Sequence, residues 1–191
     1  MDPNGLIFAV ATTAEERTAR RLGARTALVG LGAANGIPDG RLVSFGLAGA
    51  LHDGLSLGEV IDATRVVDPE GAVLWDGPPL GVAGARAGTI VAVDAVLDDP
   101  AARRGLHERT GADAADMESG ALARTGRLAG VLRAVSDTPD HGLNGIEGAV
   151  GPDGRLDWAG LARAFVRRPL GFARAAGDAR RALKRLGQVA A

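Results

Sequence analysis

The chain of 191 residues has no cysteine, no tyrosine and only 3% aromatic residues. Without cysteine there is no disulfide scaffold, no thiolate metal site and no cysteine nucleophile. Long apolar runs are missing too: nowhere do 18 apolar residues follow one another, and the opening MDPNGLIFAVATTAEER has an acid where a secretory signal needs positive charge. A cytoplasmic location is the expectation. Charge of one sign is absent over the whole chain, with 22 basic groups against 23 acidic. No general field exists to hold a polyanion, so nucleic acid is not an expected partner and a small molecule is. His52, His107 and His141 are scattered without a carboxylate at ligand spacing, and no metal or other cofactor is expected.

What is present is 46% hydrophobic content and 29 glycines, a core of Ala, Val and Leu packed around many tight turns, as in α/β layered proteins. Length and composition give a single domain over 1–191. Short apolar runs of strand length recur at 6–11, 26–31, 41–45, 59–67, 89–93 and 131–135. Several lack alternation, as strands buried on both faces do. Helical patterns at about 14–22, 99–110 and 116–129 lie between them, which predicts a mixed or parallel sheet flanked by helices. A polar, Gly-rich stretch follows Asp137, and helices are expected at about 157–167 and 170–187, separated by Pro169.

This last part is a basic helical extension. Residues 163–185 hold seven Arg and Lys184 against Asp178 alone, so the acidic excess lies elsewhere. Phe172, Ala176, Ala179, Leu183 and Leu186 follow helical spacing. Two readings stay open: a solvated basic face over a packed stripe, or peripheral docking on an anionic membrane surface.

Four segments carry polar or glycine-rich groups where α/β proteins place working residues. Gly30-Leu31-Gly32 follows a strand pattern, but Pro38 comes too soon for a dinucleotide-binding helix. The segment 44–51, SFGLAGAL, runs from a strand into small residues, whose amides at Gly46, Ala48 and Gly49 can line a pocket. Asp116-Met117-Glu118-Ser119 opens a helix, with Asp116 as a candidate N-cap. Residues 133–138, RAVSDT, form a buried-type strand ending in Ser136, Asp137 and Thr138.

In this order, SFGLAGAL, DMESGALA and RAVSDTPD resemble the nucleoside phosphorylase and nucleosidase superfamily, over roughly residues 5–140. The tail from Val150 to Asp157, with Arg167 to Leu170 and the Ala/Arg-rich helix, is similar to the hopanoid-associated branch, adenosylhopane phosphorylase or nucleosidase. The resemblance implies a three-layer αβα sandwich with a mixed central sheet, shortened in its first half. It implies cleavage of an adenine nucleoside bearing a bulky, lipid-linked 5′ group, in a homo-oligomer. A methylthioadenosine/adenosylhomocysteine nucleosidase and a non-catalytic purine-nucleoside binding protein are the alternatives.

The residue roles are likewise those the resemblance implies. Asp137 protonates purine N7, Glu118 accepts from the ribose hydroxyls, Met117 packs against the sugar, and Val96 and Leu97 with Ser136 meet the base. Val96 stands where many relatives stack an aromatic ring. Glu15 or Glu16 activates water; if phosphate is the acceptor instead, the Gly30 and Gly32 amides bind it.

Overall fold

The computed structural model describes residues 5–141 and 169–190, so the helix expected at 157–167 lies outside the described residues. Among the described residues, eight strands and four α-helices follow in the order β1 Leu6–Val10, α1 Thr13–Arg21, β2 Arg25–Leu28, β3 Arg41–Ala50, β4 Val60–Val67, β5 Val73–Asp76, β6 Arg86–Ala92, α2 Pro100–Thr110, β7 Ala114–Asp116, α3 Ser119–Ala123, β8 Leu128–Asp137 and α4 Pro169–Val189. They form one mixed sheet in the order β2-β1-β3-β7-β6-β4-β5, and β8 pairs with both β3 and β4. The double pairing of β8, parallel to β3 and antiparallel to β4, closes a ring through β7 and β6.

β1 shows why both faces are covered. Its five residues are all buried, and successive side chains point to opposite faces of a pleated strand. Leu6, Phe8 and Val10 join a cluster with Ala19 of α1 and Ala182 and Leu186 of α4, and the Phe8 and Phe45 rings meet there at 5.4 Å. Ile7 and Ala9 join a second cluster with Leu122 and Ala123 of α3. Helices on both faces of a mixed sheet give the α/β/α layering expected from the sequence. The buried Asp62 of β4 is fully used: it accepts the amides of Leu80, Gly81 and Val82, pinning the Pro-rich connection that leads to β6.

Several boundaries differ from the expectation. The segment 44–51 is not a strand that dissolves into a loop, because β3 continues to Ala50, with β8 beside it along most of its length and β7 at its end. The helix expected at 116–129 is only α3, because Asp116 ends β7 and Leu128 already begins β8. β2 joins β3 through a single 3₁₀ turn, Leu31–Ala33, where the chain lacks a helix.

Side chains of α4 are described from Ala173 onward. Ala175, Asp178, Ala182 and Leu186 are buried, one position out of phase with much of the expected stripe. The apolar face is thus occupied by the core, while Arg174, Arg180, Arg181, Lys184 and Arg185 remain exposed. Among the described residues no helix is long and apolar enough to cross a membrane.

Candidate active site

A cavity of about 250 Å³ opens where the ends of β1, β3, β7 and β8 converge. Its walls are mostly aliphatic, with Leu31, Leu47, Leu51, Val93 and Met117 among them, and among the described residues no aromatic ring lines it. Ionisable groups enter it in two clusters.

The first gathers around Arg133 of β8, whose side chain is 1% exposed. Its guanidinium lies 2.5 Å from Asp116, 3.2 Å from Glu118 and 2.6 Å from Ser44 Oγ, and it donates to the Leu47 carbonyl. A buried arginine in an apolar strand must be paired, and three-sided coordination by carboxylates and a hydroxyl does this. Asp116 also holds the Ser119 hydroxyl and accepts the Ser119 amide at 3.1 Å. It therefore caps the approach to α3, although the helix proper has Glu118 at the N-cap position, with no side-chain cap bond from that residue. Glu118 is held from its other side by the Gly32 amide at 3.2 Å. Burial pushes the Glu118 carboxyl from its ordinary 4.5 up to about 7 against the pull of Arg133, with Asp116 and Glu15 adding to the rise.

Glu15 completes this cluster. Its carboxylate accepts the Ala11 and Thr12 amides and the Thr12 hydroxyl on one oxygen, and the Leu47 amide at 2.9 Å on the other. With Thr12 it forms the capping box of α1, so local helix chemistry aims it at the cavity. Gly46 lies under it: a Cβ there would stand 2.2 Å from Glu15 Oε1 and 2.7 Å from Arg133. Gly46 does not line the cavity. It makes room for the carboxylate that does.

The second cluster is Asp137, at the end of β8. It is 3% exposed. Oδ1 accepts the Ser136 hydroxyl at 2.6 Å, and Oδ2 lies 2.5 Å from Arg103 Nη2. Burial raises the Asp137 carboxyl above its ordinary range, while Arg103 and the Ser136 hydroxyl oppose the rise. Oδ2 is buried without a well-aligned hydrogen-bond donor.

The structure brings Asp137, Glu15, Glu118, Met117, Ser136, Ala48, Gly49, Val96 and Leu97 to one cavity. Glu16 is placed elsewhere: one residue further along α1, it points outward and pairs with Arg20 at 2.7 Å. Gly30 and Gly32 do not line the cavity, and the Gly32 amide already serves Glu118. Sequence reasoning missed Arg103 and Arg133. The signal for Arg133 was present, since a charge inside the apolar run 131–135 needs a buried partner. Arg103 had a weaker one: it lies three residues before Leu106, on the face of α2 that is buried.

Residues 80–167 match the family model of the phosphorylase superfamily. No curated protein matches the chain in sequence. Among solved structures, the chain is similar in fold to a Helicobacter pylori 5′-methylthioadenosine/S-adenosylhomocysteine nucleosidase in complex with a pyrrolidinol ligand (TM-score 0.57, 14% identity, 96% of each chain covered). It is equally similar to native futalosine hydrolase of H. pylori, with the same score, identity and coverage. The Arabidopsis thaliana 5′-methylthioadenosine nucleosidase in apo form has a TM-score of 0.51 at 16% identity, with 95% of each chain covered.

Proposed function

We propose that this chain, whose residues 80–167 match the phosphorylase-superfamily model, cleaves the N-glycosidic bond of an adenine nucleoside carrying a bulky apolar 5′ group, with water as the acceptor. The observation that carries the reading is the meeting of Asp137, Glu118 and Glu15 in one aliphatic cavity. Breaking the bond moves electrons onto the purine and leaves the ribose oxocarbenium-like, so it needs a proton near the base and negative charge near the sugar.

Asp137 meets the first need. Burial favours its protonated form, and Oδ2, which lacks an aligned donor, is the atom suited to share a proton with purine N7. Glu118 meets the second. In the free site its charge is disfavoured by burial and by two neighbouring carboxylates; a cationic ribose supplies the missing positive partner, so its hydrogen bonds from the ribose hydroxyls strengthen in the transition state. Glu15 takes a proton from water as the water oxygen bonds to C1′. The C1′–N9 pair departs with adenine, and N7 receives the proton of Asp137.

The same electrostatics favour water over phosphate. Three carboxylates act on a single guanidinium already paired with two of them, and an incoming dianion would meet like charge. Val96, Leu97 and the other aliphatic walls suit an apolar 5′ group and an unstacked base. Methylthioadenosine or adenosylhomocysteine is the second reading, suggested by the names of the structural neighbours.

The test is incubation with adenosines of increasing 5′ alkyl size, methylthioadenosine included, followed by chromatography of free adenine. Release that rises with 5′ bulk is expected. Fastest release from methylthioadenosine favours the second reading, and tight adenine binding with no release from any nucleoside leaves a binding protein.

A further inference from the structure

We propose that Arg103 is a positioning residue for the cleavage reaction, fixing the carboxyl of Asp137 and the loop carbonyl of Leu97 against each other along one wall of the cavity. The proposal rests on the reading of Asp137 as the acid. Arg103 is 2% exposed although it is charged, and its guanidinium reaches three separate pieces of chain. Nε donates to the Leu97 carbonyl at 2.7 Å, Nη1 donates to the Ala50 carbonyl at 3.1 Å, and Nη2 pairs with Asp137 Oδ2 at 2.5 Å. These belong to the segment before α2, the end of β3 and the end of β8. No other described side chain joins the Val96-Leu97 wall to Asp137 by hydrogen bonds and an ion pair.

A planar fork with fixed donor directions holds three acceptors at set angles, which a lysine ammonium does not reproduce. The fold also clears space for it. A Cβ on Gly49 would stand 2.8 Å from Asp137 Oδ2 and 3.2 Å from Arg103 Nη1, so the pair requires a residue without a side chain on β3. Arg103 has a position on α2 that suits this reach: Asp99 caps the helix by accepting the Ala101 and Ala102 amides, and the first turn directs Arg103 inward.

The chemical consequence is a balance. Burial alone favours the protonated form of Asp137, and an acid that binds its proton too tightly gives it up poorly. Arg103 opposes burial. Among the described residues, the charges acting on Asp137 are Arg103 of α2 and Asp98 just before that helix, the latter raising its affinity for a proton; Ser136 adds a hydrogen bond to the carboxylate, and β3 contributes only Ala48 and Gly49 beside it. Removing Arg103 therefore leaves burial and Asp98 unopposed.

The experiment compares the wild-type chain with Arg103→Met, Arg103→Gln and Arg103→Lys. In the ligand-free proteins, carbon-13 NMR of the Asp137 carboxyl follows its titration. Met and Gln are expected to move it upward by about one unit or more, the scale set by an opposite charge at contact distance, and Lys to restore most of the difference. In turnover of a 5′-alkyl adenosine, the alkaline limb of kcat/KM should move upward with it for Met and Gln, while KM rises about tenfold in all three because the Leu97 wall is released. If Met fails to fold, Gln keeps the side-chain length and gives the same readout. An Asp137 titration and alkaline limb unchanged in a folded neutral variant would overturn the proposal. Absence of adenine release by the wild-type chain would instead overturn the reading of the site, and the NMR arm decides the Arg103–Asp137 link independently.

Discussion

Two buried charge clusters share one cavity and are neutralised differently. At Asp137 one carboxyl faces one guanidinium, that of Arg103. Around Arg133 one guanidinium is shared by Asp116 and Glu118, with Glu15 close enough to affect both Arg133 and Glu118. Taking charges out of water is costly in either case, and a close partner offsets most of it. The one-to-one cluster can hold or release a proton with little change in its surroundings. The three-to-one cluster remains short of positive charge, and a cation forming beside it is stabilised. Under the proposed function, the one-to-one cluster supplies the proton at the departing base and the three-to-one cluster the negative charge at the sugar.

Breaking the larger cluster should have the largest effect. Arg133→Met leaves Asp116 and Glu118 buried without their counter-ion, and loss of one partner from a buried pair costs about 3–5 kcal/mol. Thermal denaturation should show a strongly lowered Tm, partly recovered by adding Glu118→Gln. Breaking the smaller cluster should act on chemistry more than on folding. Asp137→Asn is expected to lower kcat by roughly 10²- to 10⁴-fold, the scale for losing a general acid, with a smaller fall in Tm than Arg133→Met because Arg103 keeps its bonds to the Leu97 and Ala50 carbonyls; unchanged turnover would contradict its role.

A pH series sharpens the comparison. Glu118 binds its proton more tightly in the folded chain, at about 7 against an ordinary 4.5. Between those values the folded state holds a proton that the unfolded chain has released, so the contribution to stability is full below about 4.5 and is lost as pH rises through about 7. Stability should decline over that window by something on the order of 3 kcal/mol, and Glu118→Gln should flatten the decline in denaturant melts. The smallest effect separates the two glutamates of α1. Glu15→Gln should reduce turnover by about 10²-fold or more, whereas Glu16→Gln, altering a surface ion pair with Arg20 and a contact with the Thr26 hydroxyl, should change stability by less than about 1 kcal/mol and turnover hardly at all.

Much of this was legible in the residues, for physical reasons. Uninterrupted apolar runs such as 131–135 mark strands buried on both faces, and β8 is one. Asp137 and Glu118 lie at a strand end and a helix start, but they were singled out by the family resemblance that RAVSDTPD and DMESGALA carry. The choice between Glu15 and Glu16 was not legible. It depends on the rotation of α1, which the capping box with Thr12 sets. β3 was read too short because Gly46, Ala48 and Gly49 carry weak strand preference; pairing with β8 and β7 holds them extended regardless. β5 and β7, with four and three residues, are too short to show periodicity. Arg103 was missed because two of its three partners, Ala50 and Asp137, come from segments far apart in the chain, and no local pattern encodes such a meeting.

The central claim is that the under-neutralised sugar side favours water as the acceptor. Turnover of a 5′-alkyl adenosine in oxygen-18 water, with and without phosphate, tests it by mass spectrometry of the released sugar. The account predicts a free pentose bearing one heavy oxygen at C1, formed at the same rate in both buffers. A sugar 1-phosphate without the label, or cleavage that requires phosphate, would contradict it.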